Sequence, residues 1–182
     1  MATAHSALAG GKFDAAIAAA KQVNGFYPEY TGKGSAYELL AQAYEKKGDK
    51  RAAIGELEKY RDEGGTALDS LKYLAVLEQG AAQIAQAETT LGALNDIYPE
   101  DQEVHQQLGK LLLAQGDATG AIRESEAVLA LHPADVAGSH YQLAKALNAA
   151  HRASEAKDQI LLSLEAAPDY KPAQQLLLQL SQ

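Results

Sequence analysis

The sequence predicts an all-α protein, an α-solenoid of antiparallel helix hairpins closed by a single C-terminal helix. Three observations carry that expectation. Alanine and leucine dominate while only five prolines occur, a composition that favours helices. An alanine recurs early in each second helix, at Ala16, Ala53, Ala87, Ala121 and Ala156, with spacings of 37, 34, 34 and 35 residues. Pro28, Pro99, Pro133 and Pro168 each fall twelve residues after the alanine of their own unit. Two markers that keep one period signal internal repetition.

Residues 105–133 show the unit most plainly. Leu108, Leu111, Leu112 and Gln115 follow the i, i+3, i+4, i+7 spacing of one helix face, the last site already polar. Ala121, Ile122, Ser125, Val128 and Leu129 do the same for a second helix. Between them, Gly116 supplies a left-handed residue at a helix end without steric cost. Asp117 then offers an acceptor to the unpaired amides of the next helix, and Pro133 stops that helix.

Taken in order, residues 1–30 form a partial repeat. Thr3, Ala4, Ala7 and Leu8 make a poorly apolar first face, Gly10-Gly11 breaks the chain, and 13–26 form a good second helix. A chain that opens in mid-hairpin, at Met1, reads as a fragment of something longer. Extra residues in the linker 30–34 account for the 37-residue spacing. Repeats then cover 34–67, 68–101, 102–136 and 137–170, so that 1–182 is a single array. In the first of these, Tyr37, Leu40, Ala41 and Tyr44 answer Ala53, Leu57 and Tyr60 across Gly48-Asp49; it ends in Gly64-Gly65 in place of proline, which predicts a looser junction. The 68–101 repeat departs most, with Glu78 where its predecessor has Tyr44 and Ala81-Ala82 where Gly-Asp is expected. In 137–170, His151-Arg152 replaces Gly-Asp. Residues 171–182 form a capping helix with Pro172 in the first turn, where a missing N–H costs nothing. Its Leu176, Leu177 and Leu180 are placed to cover the end of the stack, and Gln174, Gln175, Gln179 and Gln182 to face water.

Composition narrows the function classes. There are no cysteines, which excludes disulfides, thiol catalysis and thiolate metal sites and leaves the compartment open. The net charge of −8 is spread along the chain, so no basic cluster is available for phosphates and nucleic acid is not an expected partner. No apolar run approaches the roughly 20 residues of a membrane span, and the N-terminus lacks the basic start and apolar core of a signal peptide. A soluble protein without membrane insertion is expected, cytoplasmic or, as the tail of a secreted protein, periplasmic or extracellular.

The 34-residue helix–turn–helix resembles the tetratricopeptide repeat (TPR) family. The resemblance is carried by Leu40-Ala41, Leu74-Ala75, Leu108-Gly109 and Leu143-Ala144, the Gly-Asp turns, the Ala-Ile pairs and the closing prolines, over about residues 8 to 182. It implies a right-handed TPR superhelix in which Ala41, Ala75, Gly109 and Ala144 of first helices face Ala53, Ala87, Ala121 and Ala156 of second ones, allowing close approach. A weaker similarity, through the order of segments such as Tyr-Pro-Glu-Tyr and Asp-Ile-Tyr-Pro-Glu-Asp, is to the TPR tails of bacterial gluzincin-type metallopeptidases. The His-Glu-x-x-His motif of those enzymes is missing, so none of their chemistry carries over.

Candidate chemistry is sparse. His5, His105, His132, His140 and His151 lie on different helices or turns, and no pair has the i, i+4 spacing of a helical metal site; surface or helix-cap roles account better for all five. Glu124 with Glu126 and the Asp62-Glu63 pair read as solvated faces. Gly32-Lys33-Gly34 is too short for a phosphate loop. No catalytic residue, metal or cofactor is expected, and the chain reads as a non-enzyme.

The TPR resemblance further implies a concave groove lined by first helices, which takes a peptide or protein segment. Its positions here are Glu38, Gln42 and Glu45, then Asp69, Lys72 and Gln79, then Gln106 and Lys110, then Tyr141, Lys145 and Asn148, with Gln175 from the capping helix. The set is acidic at first and mostly basic from Lys72 onward, and it does not match the two-carboxylate clamp of chaperone-binding TPR domains. Lys72, Lys110, Lys145 and Tyr141 are the expected receivers of an acidic or C-terminal segment. The leading expectation is a non-catalytic protein-interaction module. Its alternatives are a metallopeptidase tail that positions substrate or packs on a catalytic domain, and a scaffold that self-assembles as a homo-oligomer through the incomplete N-terminal repeat.

Overall fold

The computed structural model describes residues 2–181. Among them are eleven α-helices and no strand: α1 (Ala2–Ala9), α2 (Phe13–Phe26), α3 (Ala36–Lys46), α4 (Lys50–Asp62), α5 (Leu68–Gly80), α6 (Ile84–Ile97), α7 (Gln102–Gln115), α8 (Ala118–Ala130), α9 (Val136–Ala149), α10 (Ala153–Ala166) and α11 (Lys171–Gln179). They fall into two compact units, one ending at Ile97 and one beginning at Tyr98.

Every hairpin turns through one left-handed residue. Gly11, Gly48 and Gly116 hold it, at φ of 70°, 87° and 87°. Ala82 and His151 take the same conformation where the sequence offers no glycine, each at φ 59°. In all five turns the next amide reaches back into the helix just ended: Lys12 to Ala7 O, Asp49 to Tyr44 O, Gln83 to Glu78 O, Asp117 to Leu112 O and Arg152 to Leu147 O. That backward bond satisfies a helix-end carbonyl whichever residue makes the turn. Glycine is thus dispensable at two of the turns, at a backbone cost of order 1 kcal/mol each.

Five helices, α3, α4, α7, α8 and α9, are capped by a side chain. Asp49, Asp101, Asp117 and Asp135 accept from the amides of Ala52, Val104, Gly120 and Gly138 at 2.8–3.0 Å. Ser35 and Glu38 form a reciprocal capping box at the start of α3. Caps of this kind are worth about 1 kcal/mol each.

In the first unit, Ala16, Ile17 and Ala20 of α2 pack with Ala4 of α1 and Leu39, Leu40 and Ala43 of α3. The small residues of these hairpins, Ala41, Ala53, Ala75 and Ala87, are all buried. The junction after α4 is made by an aromatic instead of a proline. Tyr60 is buried against Gly65, where any Cβ would collide with its ring, and its hydroxyl accepts from the Ala67 amide at 3.0 Å. Glu78, at the register of Tyr44, is fully buried. Arg61 Nη1 lies 3.4 Å from its Oε1 and donates to Thr90 Oγ1 at 2.9 Å. Glu78 Oε2 has no hydrogen-bond partner among the described residues, and burial pushes the carboxyl above the usual range.

In the second unit, an added Cβ on Gly109 would stand 3.2 Å from Glu124 Cβ and 3.7 Å from Ala121 O. Glycine takes the place of the alanine of the other hairpins where the Cβ of Glu124 comes this close. α11 closes the unit: Ala173 and Leu176 join Ala144 and Ile160, with Tyr141, Leu164, Tyr170, Leu177 and Leu180 packed around them. Gln174, Gln175 and Gln179 are exposed; Gln182 lies outside the described residues, as does Met1. Leu178 is also exposed, at 67%, so the outer face of α11 is less polar than its glutamines predict.

Candidate protein-interaction surface

Two recesses open in the second unit along its first helices. The deeper one lies between α7 and α9 with α8 as its floor, and holds about 110 Å³. Its α9 wall carries Gly138, Ser139, Gln142 and Ala146, at the register where α7 has Glu103, Val104, Gln107 and Leu111. Smaller side chains at three of these positions, together with Gly109 opposite, open a gap in a close-packed unit. Gln106 and Lys110 line its α7 side.

The second recess is wider and shares Leu113 with the first. Tyr141, Lys145 and Asn148 of α9 form one side and Pro172, Gln175 and Gln179 of α11 the other. Tyr141 meets Tyr170 edge-on, ring centroids 5.5 Å apart, and Lys145 Nζ lies 5.8 Å from the Tyr141 ring centroid. The edge-to-face pair fixes the ring over which the ammonium sits. Burial, then the charge of Asp135, pushes the Tyr170 hydroxyl above its usual range.

Of the residues expected at a binding face, Gln106 and Lys110 line the first recess and Tyr141, Lys145, Asn148 and Gln175 the second. Glu38, Gln42, Glu45 and Lys72 belong to the first unit. There Glu38 is engaged twice, in the capping box and as acceptor from the Ser70 hydroxyl of α5, so it ties α3 to α5. Gln42 and Asp69 are exposed, while Glu45, Lys72 and Gln79 are half-buried.

Two expectations are corrected. His105 is neither a surface nor a cap residue, and Glu124 is not on a solvated face. Both are buried, at 6% and 2% exposure. His105 Nδ1 lies 2.7 Å from Glu124 Oε2 and Nε2 lies 2.9 Å from Pro99 O, while Arg123 Nε donates to Glu124 Oε1 at 3.1 Å. Both ring nitrogens thus face oxygen atoms, one of a side chain and one of the backbone. The one sequence signal that could have flagged the pairing is a spacing across the hairpin: His105 and Glu124 are nineteen residues apart, as are His140 and Gln159 one repeat later, and these also meet, at 2.7 Å. Single-helix i, i+4 spacing does not detect contacts across a hairpin. Among the described residues, no group of three or more His, Asp or Glu could hold a metal ion, and no helix is long and apolar enough to cross a membrane.

The architecture recurs in solved structures. YrrB, a TPR protein with an unusual peptide-binding site, superposes with a TM-score of 0.73 at 18% identity, over 95% of this chain and 87% of its own. MamA from Desulfovibrio magneticus RS-1 gives 0.69 at 18% identity, over 83% and 85%. A tetratricopeptide repeat protein from Parabacteroides merdae gives 0.69 at 15% identity, over 97% and 69%. The fold is that of the tetratricopeptide repeat. No family model and no curated protein matches the sequence. In TPR terms, α3, α5, α7 and α9 are first helices and α4, α6, α8 and α10 their partners. Both recesses therefore lie along the first-helix side of the second unit.

Proposed function

We propose that the chain is a non-catalytic protein-interaction module, and that the first-helix side of its second unit receives a peptide or protein segment. The observation that carries this reading is the clustering of Gln106, Lys110, Tyr141, Lys145 and Asn148 around two adjoining recesses. Concave, partly apolar sites with a few convergent polar groups are the default places for ligands. Peptide binding by the structurally similar YrrB supports the reading by fold-level analogy only.

Affinity capture from the native source, compared between the wild type and the Lys110→Glu/Lys145→Glu variant, tests it. Partners retained by the wild type and lost by the folded variant support the reading. Identical capture by both contradicts it.

Self-association is a second reading, favoured by an exposed aromatic segment in the partial repeat. Phe26, Tyr27 and Tyr30 are 70%, 67% and 53% exposed, and Tyr27 and Tyr30 border an apolar recess with Val23 and Ala36. Exposed clusters of this kind mark interaction sites. Light scattering across a concentration range distinguishes it: a mass that climbs with concentration favours self-association, and a constant monomer mass removes it.

A further inference from the structure

We propose that the recess between α7 and α9 is an anchor pocket for one aliphatic side chain of an acidic peptide segment. The inference deepens the peptide-binding reading above and rests on it.

Size sets the first limit. At about 110 Å³ the recess is smaller than the apolar cavity of about 150 Å³ that accommodates benzene. It suits a valine- or leucine-sized group and excludes an indole. The walls set the second. Gly109, Leu113, Val128 and Ala146 supply the apolar part of a mixed lining, against which an aliphatic occupant leaves water. The two serine hydroxyls of the wall already donate to backbone carbonyls, Ser125 to Ala121 O and Ser139 to Asp135 O, at 2.8 and 2.7 Å. An apolar occupant therefore strands neither serine proton.

Charge sets the third limit. Lys110 is exposed at the mouth and makes no ion pair among the described residues. Lys145 stands over Tyr141 in the adjoining recess, across the shared Leu113. Asp135, the carboxylate at the rim, is engaged by the Gly138 amide at 2.8 Å. Two cations beside a partly apolar recess match an aliphatic residue flanked by Asp or Glu, and they repel a basic segment. The chain's net charge of −8 opposes an acidic ligand at a distance, so these lysines act at contact range, inside a Debye length of about 8 Å.

The test is selection of random heptapeptides displayed on phage against the full chain, followed by fluorescence polarisation with the enriched peptides. Ser125→Leu fills the recess, and Lys110→Glu/Lys145→Glu reverses its charge; thermal melts confirm that both variants fold. The expected result is enrichment of Leu, Ile or Val beside Asp or Glu, with affinity at least tenfold weaker in each variant. Enriched peptides that are basic, that lack an aliphatic residue, or that bind Ser125→Leu as tightly as the wild type overturn the anchor pocket while leaving peptide binding intact. Enrichment of no peptide at all overturns the peptide-binding reading and the pocket with it.

Discussion

His105 and Glu124 join α7 to α8 through a buried 2.7 Å contact, and His140 and Gln159 join α9 to α10 through its counterpart. The amide suffices at the half-buried site. The carboxylate stands where both histidine nitrogens face acceptors. Glu124→Ala should therefore cost about 3 kcal/mol, because it leaves a buried imidazole without its partner. Glu124→Gln should recover much of that, since Gln159 makes the same bridge. Urea unfolding of the three proteins measures the ranking, and equal losses for Ala and Gln would show that the bridge contributes nothing specific.

Ala82 and His151 occupy turns held elsewhere by glycine, at φ 59°. Ala82→Gly and His151→Gly should each stabilise by about 0.5 kcal/mol, the relief of left-handed strain minus the entropy glycine adds to the unfolded chain. Gly116→Ala should cost about 1 kcal/mol by the same argument. Melting temperatures of the three variants check the opposite signs.

Glu78 introduces a pH dependence. Burial raises its carboxyl, Glu58 adds to this, and the Thr90 hydroxyl and Arg61 guanidinium oppose it. The native state therefore holds this proton more tightly than the unfolded chain does. Its contribution is full below the ordinary carboxylate range and is lost as pH rises through that range toward the raised native value. Glu78→Gln, which carries no charge at any pH, should gain in melting temperature relative to the wild type between about pH 4 and pH 8. A difference that is constant or narrows with pH would contradict this account.

Ala121 lies across the α7–α8 hairpin from Gly109, where an added Cβ would stand 3.7 Å from its carbonyl oxygen. Ala121→Leu should overpack this hairpin and cost about 1–3 kcal/mol. An unchanged melting temperature would sink the small-on-small model of the hairpin.

Much of the fold was legible because it is periodic. The alanine ruler at Ala16, Ala53, Ala87, Ala121 and Ala156 tracks second helices, and the left-handed residues Gly11, Gly48, Ala82, Gly116 and His151 repeat its spacings of 37, 34, 34 and 35. Ala82 and His151 were hidden because the turn is defined by a backbone bond and not by a residue type. The His105–Glu124 bridge was hidden for a different reason: charge reads as solvent exposure in one helix, and only the facing helix reveals the partner. The anchor recess was not legible at all. It arises from what Gly138, Ser139 and Ala146 lack relative to α7, a difference of volume that no motif encodes.

The central claim is that ligand meets the first-helix side of the second unit. Amide chemical-shift mapping of the full chain with the tightest selected peptide tests it most directly. The account predicts the largest shifts at Lys110, Leu113, Tyr141, Lys145 and Asn148. Shifts concentrated instead on α10, around the exposed Leu161 and Leu162, would contradict it.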